Sequence, residues 1–311
     1  MSTMRRARLS HRKCALVLAT AATFVLPGCS NNSAVSGLNI PNVTPNPVPI
    51  ASKIPAEQSK QAPTETPDEN RLRVAIFFDQ PGSSFMEDGE PSGFNVDVAA
   101  YVAWKLGYSP YEIEWVEARM DRDNMLLDDE VDLVFASYSY SDEWVDKIDY
   151  AGPYLVTGQT LGVRADDNSI EVPGDLAGKK VCGPKGSHML ERFVEMVPDA
   201  EIVEAKNRSE CVRDVINGDV DAITSSDGIL GGLAASDEFY DKIKVVGKPF
   251  SEELIMVGLP PNSHELCENI NVALDEMYND GSWSKFIMRV ANGTDYNPDP
   301  ELNPPAFMPC K

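Results

Sequence analysis

The sequence predicts an α/β fold of two lobes. From residue 72 onward, short apolar runs alternate with segments of helical periodicity, the pattern of strands and helices in turn. In front of them, residues 30–70 are rich in Pro, Asn, Ser and Thr and nearly lack large apolar side chains, so this stretch cannot bury enough surface to offset its ordering entropy. The remaining body of about 240 residues exceeds one average domain.

Strands are expected at 72–77, 112–116, 132–136, 160–164, 180–182, 201–203, 220–224, 243–246 and 254–259, with helices between them. In the first long helix Val98, Val102 and Leu106 repeat at helical spacing beside Ala99 and Ala103, and Gly107 is placed to end it in a left-handed conformation. Near the other end, Leu266, Ile270, Ala273, Leu274 and Met277 form the same stripe after a Ser263 cap, closing at Gly281. Both stripes read as core.

The amino terminus indicates an exported protein. Arg5, Arg6, Arg8, Arg12 and Lys13 form a basic head, 15–26 is an apolar run short for a membrane span, and Leu26-Pro27-Gly28-Cys29 follows. These features predict a signal peptide over 1–28 and a lipobox, with Cys29 acylated and 29–70 an extended tether that holds the body off the outer face of the membrane. The chain's net charge is −22, and losing the five basic residues of the head takes it to about −27. That excess disfavours nucleic acid and direct binding to anionic lipid.

Of six cysteines, Cys14 leaves with the signal peptide and Cys29 carries lipid, leaving Cys182, Cys211, Cys267 and Cys310. In an exported chain these favour two disulfides, for which three connectivities exist. A zinc site is not expected: there is no Cys-x-x-Cys, and only His188 and His264 remain. No cofactor is implied.

Residues 131–154 read VDLVFASYSYSDEWVDKIDYAGPY, an Asp-containing strand, a hydroxyl-rich segment with Ser139 and Ser141, an aromatic and a Pro-Tyr pair. With Gly93-Phe94-Asn95-Val96-Asp97-Val98, Phe78-Asp79-Gln80-Pro81-Gly82, Val181-Cys182 before Gly186-Ser187, Asp221-Ala222 with Ile229-Leu230, and Asp280-Gly281-Ser282-Trp283, the segment resembles family 3 extracellular solute-binding proteins, the amino-acid receptors of ABC importers, over 72–290. The first-strand loop resembles their actinobacterial glutamate-receptor branch. The resemblance implies the type II periplasmic-binding-protein fold, two α/β lobes joined by two crossovers near 156–159 and 250–253, with a ligand cleft between them. It places lobe one at 71–157 and 252–311 and lobe two at 158–251. It also favours Cys182–Cys211 within lobe two and Cys267–Cys310 pinning the tail.

Carried over position by position, the resemblance implies ligand contacts from Phe77 and Gln80 after the first strand, from Arg119 packing over the ligand, and from Ser137 and Ser139. Lys185, Gly186 and Ser187 match a loop whose amides cradle a carboxylate, and Ser225 and Ser226 close the set. Two positions depart from the family. Trp144 stands where an Arg grips the α-carboxylate, and Ser226 where an Asp pairs with the α-ammonium. Arg119, Arg122 and Lys185 are candidates to supply the missing positive charge, and Asp79 or Asp227 to meet an ammonium, with Arg122 otherwise expected to hold its own loop through a salt bridge. The alternative is a cleft lined by Phe77, Tyr138, Tyr140 and Trp144, suited to a flatter or more apolar ligand or to a cation over aromatic faces.

The leading expectation is a monomeric, lipid-anchored receptor that captures an amino acid of the glutamate or glutamine type and delivers it to ABC permease subunits. A sensory module of the same fold, signalling to a membrane partner, is the alternative. An enzyme is not expected, because the cleft positions offer neither an acid and base pair nor a nucleophile beside a base.

Overall fold

The computed structural model of the chain describes residues 71–291 and 296–311; the signal peptide expected over 1–28, Cys29 and the tether 29–70 lie outside the described residues. The body starts with β1 (Leu72–Ile76), followed by β2 (Asp79–Gln80), β3 (Ser84–Glu87) and β4 (Glu90–Ser92), which form a small sheet of their own. Next come α1 (Phe94–Lys105), β5 (Ile113–Glu117), α2 (Arg122–Leu127), β6 (Leu133–Ser139) and β7 (Asp149–Thr157). The middle of the chain supplies β8 (Gln159–Arg164), β9 (Lys180–Pro184), α3 (His188–Met196), β10 (Glu201–Ala205), α4 (Arg208–Asn217), β11 (Ala222–Ser226), α5 (Asp227–Ala235) and β12 (Ile243–Val246). It then returns through β13 (Glu253–Leu259), α6 (His264–Asn279) and α7 (Ser282–Ala291).

Two five-stranded mixed sheets result, β5-β1-β6-β13-β7 and β10-β9-β11-β8-β12. In each, one strand is parallel to both neighbours (β1 and β9) and another is antiparallel to both of its neighbours (β13 and β8). Each sheet is covered on both faces. In lobe one, α1, α6 and α7 bury one face, and α2 with Tyr138, Tyr150 and Met256 buries the other. Lobe two is packed likewise on both sides. Gly107 has φ +97 and ends α1, and Gly281 with φ +77 separates α6 from α7. Ser263 precedes α6, but its hydroxyl makes no capping bond; its N–H instead donates to Asp149 at 2.5 Å.

Two strand starts are corrected, and β2, β3, β4 and β7 lie outside the expected strands. β5 begins after Glu112, because 110–112 form a turn in which the Glu112 carboxylate accepts the Ser109 N–H at 2.8 Å. β11 begins at Ala222, since Val220 N–H still bonds back to Asp214 O at 3.4 Å. The nine-residue β7 has no counterpart in the sequence reading: eight of its residues are buried, so the alternation that marks a strand is absent, and Pro153 argues against one. Pro153 is tolerated because β7 is an edge strand.

Only Gly158 separates β7 from β8. A Cβ there would meet Pro249 Cβ at 2.4 Å and Ser251 O at 2.6 Å, so the two crossovers lie against each other, and they are joined where Gln159 N–H donates to Ser251 Oγ at 3.0 Å. Disulfides join Cys182 of β9 to Cys211 of α4, and Cys267 of α6 to Cys310 in the tail.

The tail covers the open edge of β7. Asn303 Oδ1 accepts the Val156 N–H at 2.8 Å, its Nδ2 donates to Val156 O at 2.9 Å, and Met308 N–H donates to Gly152 O at 2.8 Å. An uncovered edge strand invites pairing with another chain. Asn303→Ala leaves both backbone groups of buried Val156 unpaired, and a loss of about 1–3 kcal/mol is expected. It is read as a lower urea midpoint at constant slope; an unchanged midpoint would show that the tail does not hold β7.

Candidate functional site

The carboxyl ends of β1 and β6 face the start of α4 and of α5 across the gap between the lobes, the position where open α/β sheets place their ligands. The lobes touch here. Ser209 Oγ of α4 donates to Asp79 O at 3.3 Å, Thr157 Oγ1 donates to the Asp227 carboxylate, and Arg192 of α3 pairs with buried Glu253. A Cβ on Gly232 of α5 would lie 1.9 Å from Pro81 O, so the contact depends on a residue without a side chain.

Phe77, one residue past β1, is buried at the centre of this region. Two guanidiniums lie within 6 Å of its ring centroid. Arg122, the first residue of α2, has its central carbon 5.7 Å from the ring centroid and also stands 4.6 Å over Tyr138. Arg208, the first residue of α4, reaches from the other lobe to 5.9 Å and donates from Nε to Ser225 Oγ at 2.8 Å. Both arginines are 7% exposed, and among the described residues neither has a carboxylate within ion-pairing distance. Among the described residues, Arg122 Nε and Arg208 Nη1 have no hydrogen-bond partner, and neither do the two side-chain amide atoms of fully buried Gln80 nor Asp79 Oδ2. Burial, with Arg122 adding repulsion, pushes Arg208 down to about 10 despite the pull of Asp79. Burial lowers Arg122 as well and raises the Asp79 carboxyl.

Several expected contacts are placed elsewhere. Arg119 points outward and pairs with Asp121 at 3.1 Å and Glu130 at 2.6 Å, because the inward position at the end of β5 is taken by buried Ala118. The Lys185 side chain is 79% exposed and leans to Glu204. The cradle expected from 185–187 is largely committed: Lys185 N–H bonds Ala205 O at 3.0 Å and Ser187 N–H bonds Pro184 O at 3.1 Å. Gly186, with φ +73, stays at the cleft opposite Met120, and Ser187 is buried at the start of α3.

The Ser137 hydroxyl is held by Ser83 Oγ at 2.9 Å and Asn95 Nδ2 at 3.1 Å, in a network that Tyr154 OH completes on Asn95 Oδ1 at 2.9 Å. The serine and Pro-Tyr of the 131–154 segment thus fix the amino end of α1. Ser139 is buried where β6 ends, and Ser226 lines a narrow cavity between the lobes with Asn95, Ser137, Thr157 and Tyr296. Asp227 is occupied by Thr157 and the Gly228 N–H. Trp144 packs against the apolar cluster on the α2 side of the sheet with Lys147 Nζ 4.1 Å over its ring. Tyr138 lies wholly within that cluster and gives its hydroxyl to Asp123, so the aromatic lining expected for the cleft reduces mainly to Phe77.

Arg122 departs from its expected salt bridge, and Arg208 was not singled out by sequence. One signal was available: Asn207 caps α4 by accepting the Glu210 N–H, which puts Arg208 in the first helical turn, where the helix dipole disfavours a cation.

Residues 72–290 match the family described as bacterial extracellular solute-binding proteins, family 3. The chain belongs to that family. The glutamate-binding protein GluB of Corynebacterium glutamicum is 33% identical over 228 residues, covering 70% of this chain and 77% of GluB. The glutamine-binding protein GlnH of Bacillus subtilis is 27% identical over 202 residues, 65% of this chain and 73% of that one. Among solved structures, an ancestral arginine-binding protein bound to arginine superposes with a TM-score of 0.65 at 29% identity, covering 71% of this chain and 97% of its own. This family 3 protein has the two-lobed type II periplasmic-binding-protein fold, and its family works outside the cytoplasm.

Proposed function

We propose that this protein is a receptor that captures an amino acid of the glutamate or glutamine type between its lobes and hands it to the permease of an ABC importer. The observation that carries the reading is the match to GluB across the whole two-lobed body, joined to a cleft whose buried donors lack partners. A solute touching both lobes favours the closed arrangement over an open one, and the closed form is what a permease can recognise. Phe77, Gln80, Ser139, Gly186, Ser187, Ser225 and Ser226 are the proposed lining, now with Arg122 and Arg208. Trp144 supports the floor from behind. The reading assigns no catalytic step.

The lobe boundaries proposed are 71–157 with 252–311 and 158–251. Acylation of Cys29 after loss of 1–28 anchors a monomer to the outer face of the cell membrane, with 29–70 as tether.

Mass spectrometry of small molecules released on denaturing the purified protein, with thermal-shift screening of amino acids, tests the function. Release of an amino acid, or a raised melting temperature at micromolar concentration, is the expected result. If no amino acid is released and none shifts the melting temperature, the reading is wrong.

A further inference from the structure

The tail touches both lobes. Past α7, Tyr296 packs against the lobe-one core that holds Trp283, Phe286 and Ile287 of that helix, and its other side lies on α5 of lobe two. A Cβ added to Gly228 would sit 3.0 Å from Tyr296 Cζ and 3.2 Å from its hydroxyl oxygen, and one added to Gly231 would sit 3.3 Å from Tyr296 Cβ, so the ring rests on two bare positions of the helix. Further along, the tail is fixed to lobe one. Asn303 brackets Val156 near the end of β7, Met308 bonds Gly152, and Cys310 is bridged to α6. Tyr296 lies between α7 and Asn303, both held to lobe one, so it stays with that lobe when the two part.

We propose that Tyr296 is a latch on lobe closure, a residue that sets affinity by seating on α5 and not by touching the solute. The inference rests on the receptor reading above and adds to it a determinant outside the cleft lining. The cavity that Tyr296 shares with Thr157 and Ser226 has a volume of about 30 Å³, room for water and too small for an amino acid. Ring surface buried against α5 in the closed form returns to water in an open one, so the contact favours closure whatever solute is bound. Apparent affinity falls with the fraction of protein able to hold the solute, and the latch therefore scales all affinities alike. It also slows release, since release requires opening.

The test is calorimetric titration of the purified protein and of Tyr296→Ala, Tyr296→Phe and Gly231→Leu with L-glutamate and L-glutamine, together with release rates and ligand-free melting temperatures. Tyr296→Ala is expected to weaken both solutes by the same factor of about 10, leaving their ratio unchanged, and to speed release about as much. Tyr296→Phe keeps the ring and stays within about threefold of the unmodified protein. Gly231→Leu reaches the same contact from the other lobe. The leucine displaces the ring, so binding weakens as in Tyr296→Ala, while the ligand-free melting temperature stays at or above that of the unmodified protein, because a helix favours leucine over glycine. Weaker binding at undiminished stability is a result that a merely structural role does not produce. A lower melting temperature in Tyr296→Ala with both affinities within about threefold assigns Tyr296 that structural role and overturns the proposal. So does an unchanged affinity in Gly231→Leu, and so does a changed ratio between the two solutes, which would put the ring in contact with the solute; each leaves the receptor reading standing. Failure of both solutes to bind the unmodified protein counts against the receptor reading itself and takes the inference with it.

Discussion

Gly232→Ala is expected to weaken solute binding roughly 10- to 100-fold while leaving the ligand-free protein at least as stable as before. The two effects have separate origins. Gly232 lies inside α5, where alanine is favoured over glycine by about 1 kcal/mol. In the closed arrangement, however, the new Cβ would sit 1.9 Å from Pro81 O and 2.8 Å from its carbonyl carbon, both backbone atoms of the other lobe that cannot turn aside. If the lobes part when no solute is bound, as the proposed receptor role requires, the clash is confined to the closed form and the cost falls on binding. Calorimetry gives the affinity and thermal unfolding the stability; an affinity within threefold of the unmodified protein would show that the contact at Pro81 is not needed for capture.

The second large effect concerns the tail. Cys267→Ala with Cys310→Ala is expected to cost about 4 kcal/mol, the loop-closure value for a bridge spanning 43 residues. Loss of the bridge also frees the segment whose Asn303 and Met308 cover β7, so the exposed edge should raise the tendency to self-associate. Urea unfolding and light scattering of the double variant measure the two consequences. A midpoint shift of under about 1 kcal/mol with no self-association would mean that the hydrogen bonds alone hold the tail.

Much of the fold was legible because its signals are local. The stripe Val98, Val102 and Leu106 and the glycines at 107 and 281 act within a few residues of themselves, and the helices formed where they were read. β7 was not legible, because burial on both faces erases the period of two. The site was harder for a different reason. Arg119 and Lys185 sit just past strand ends and Ser137 sits inside β6 with φ +47, places where a single step decides whether a side chain faces the cleft, a solvent carboxylate or a neighbouring hydroxyl. The resemblance named the segments but could not supply those directions. Arg208 lay hidden because its role depends on Phe77 and Ser225. Of these, Phe77 is more than a hundred residues away in the chain.

Lobe closure around a captured solute is the central claim, and small-angle X-ray scattering of the protein titrated with L-glutamate tests it most directly. The expected result is a radius of gyration that falls and saturates with one bound solute per chain. A radius unchanged at concentrations where calorimetry shows the site to be filled would contradict it.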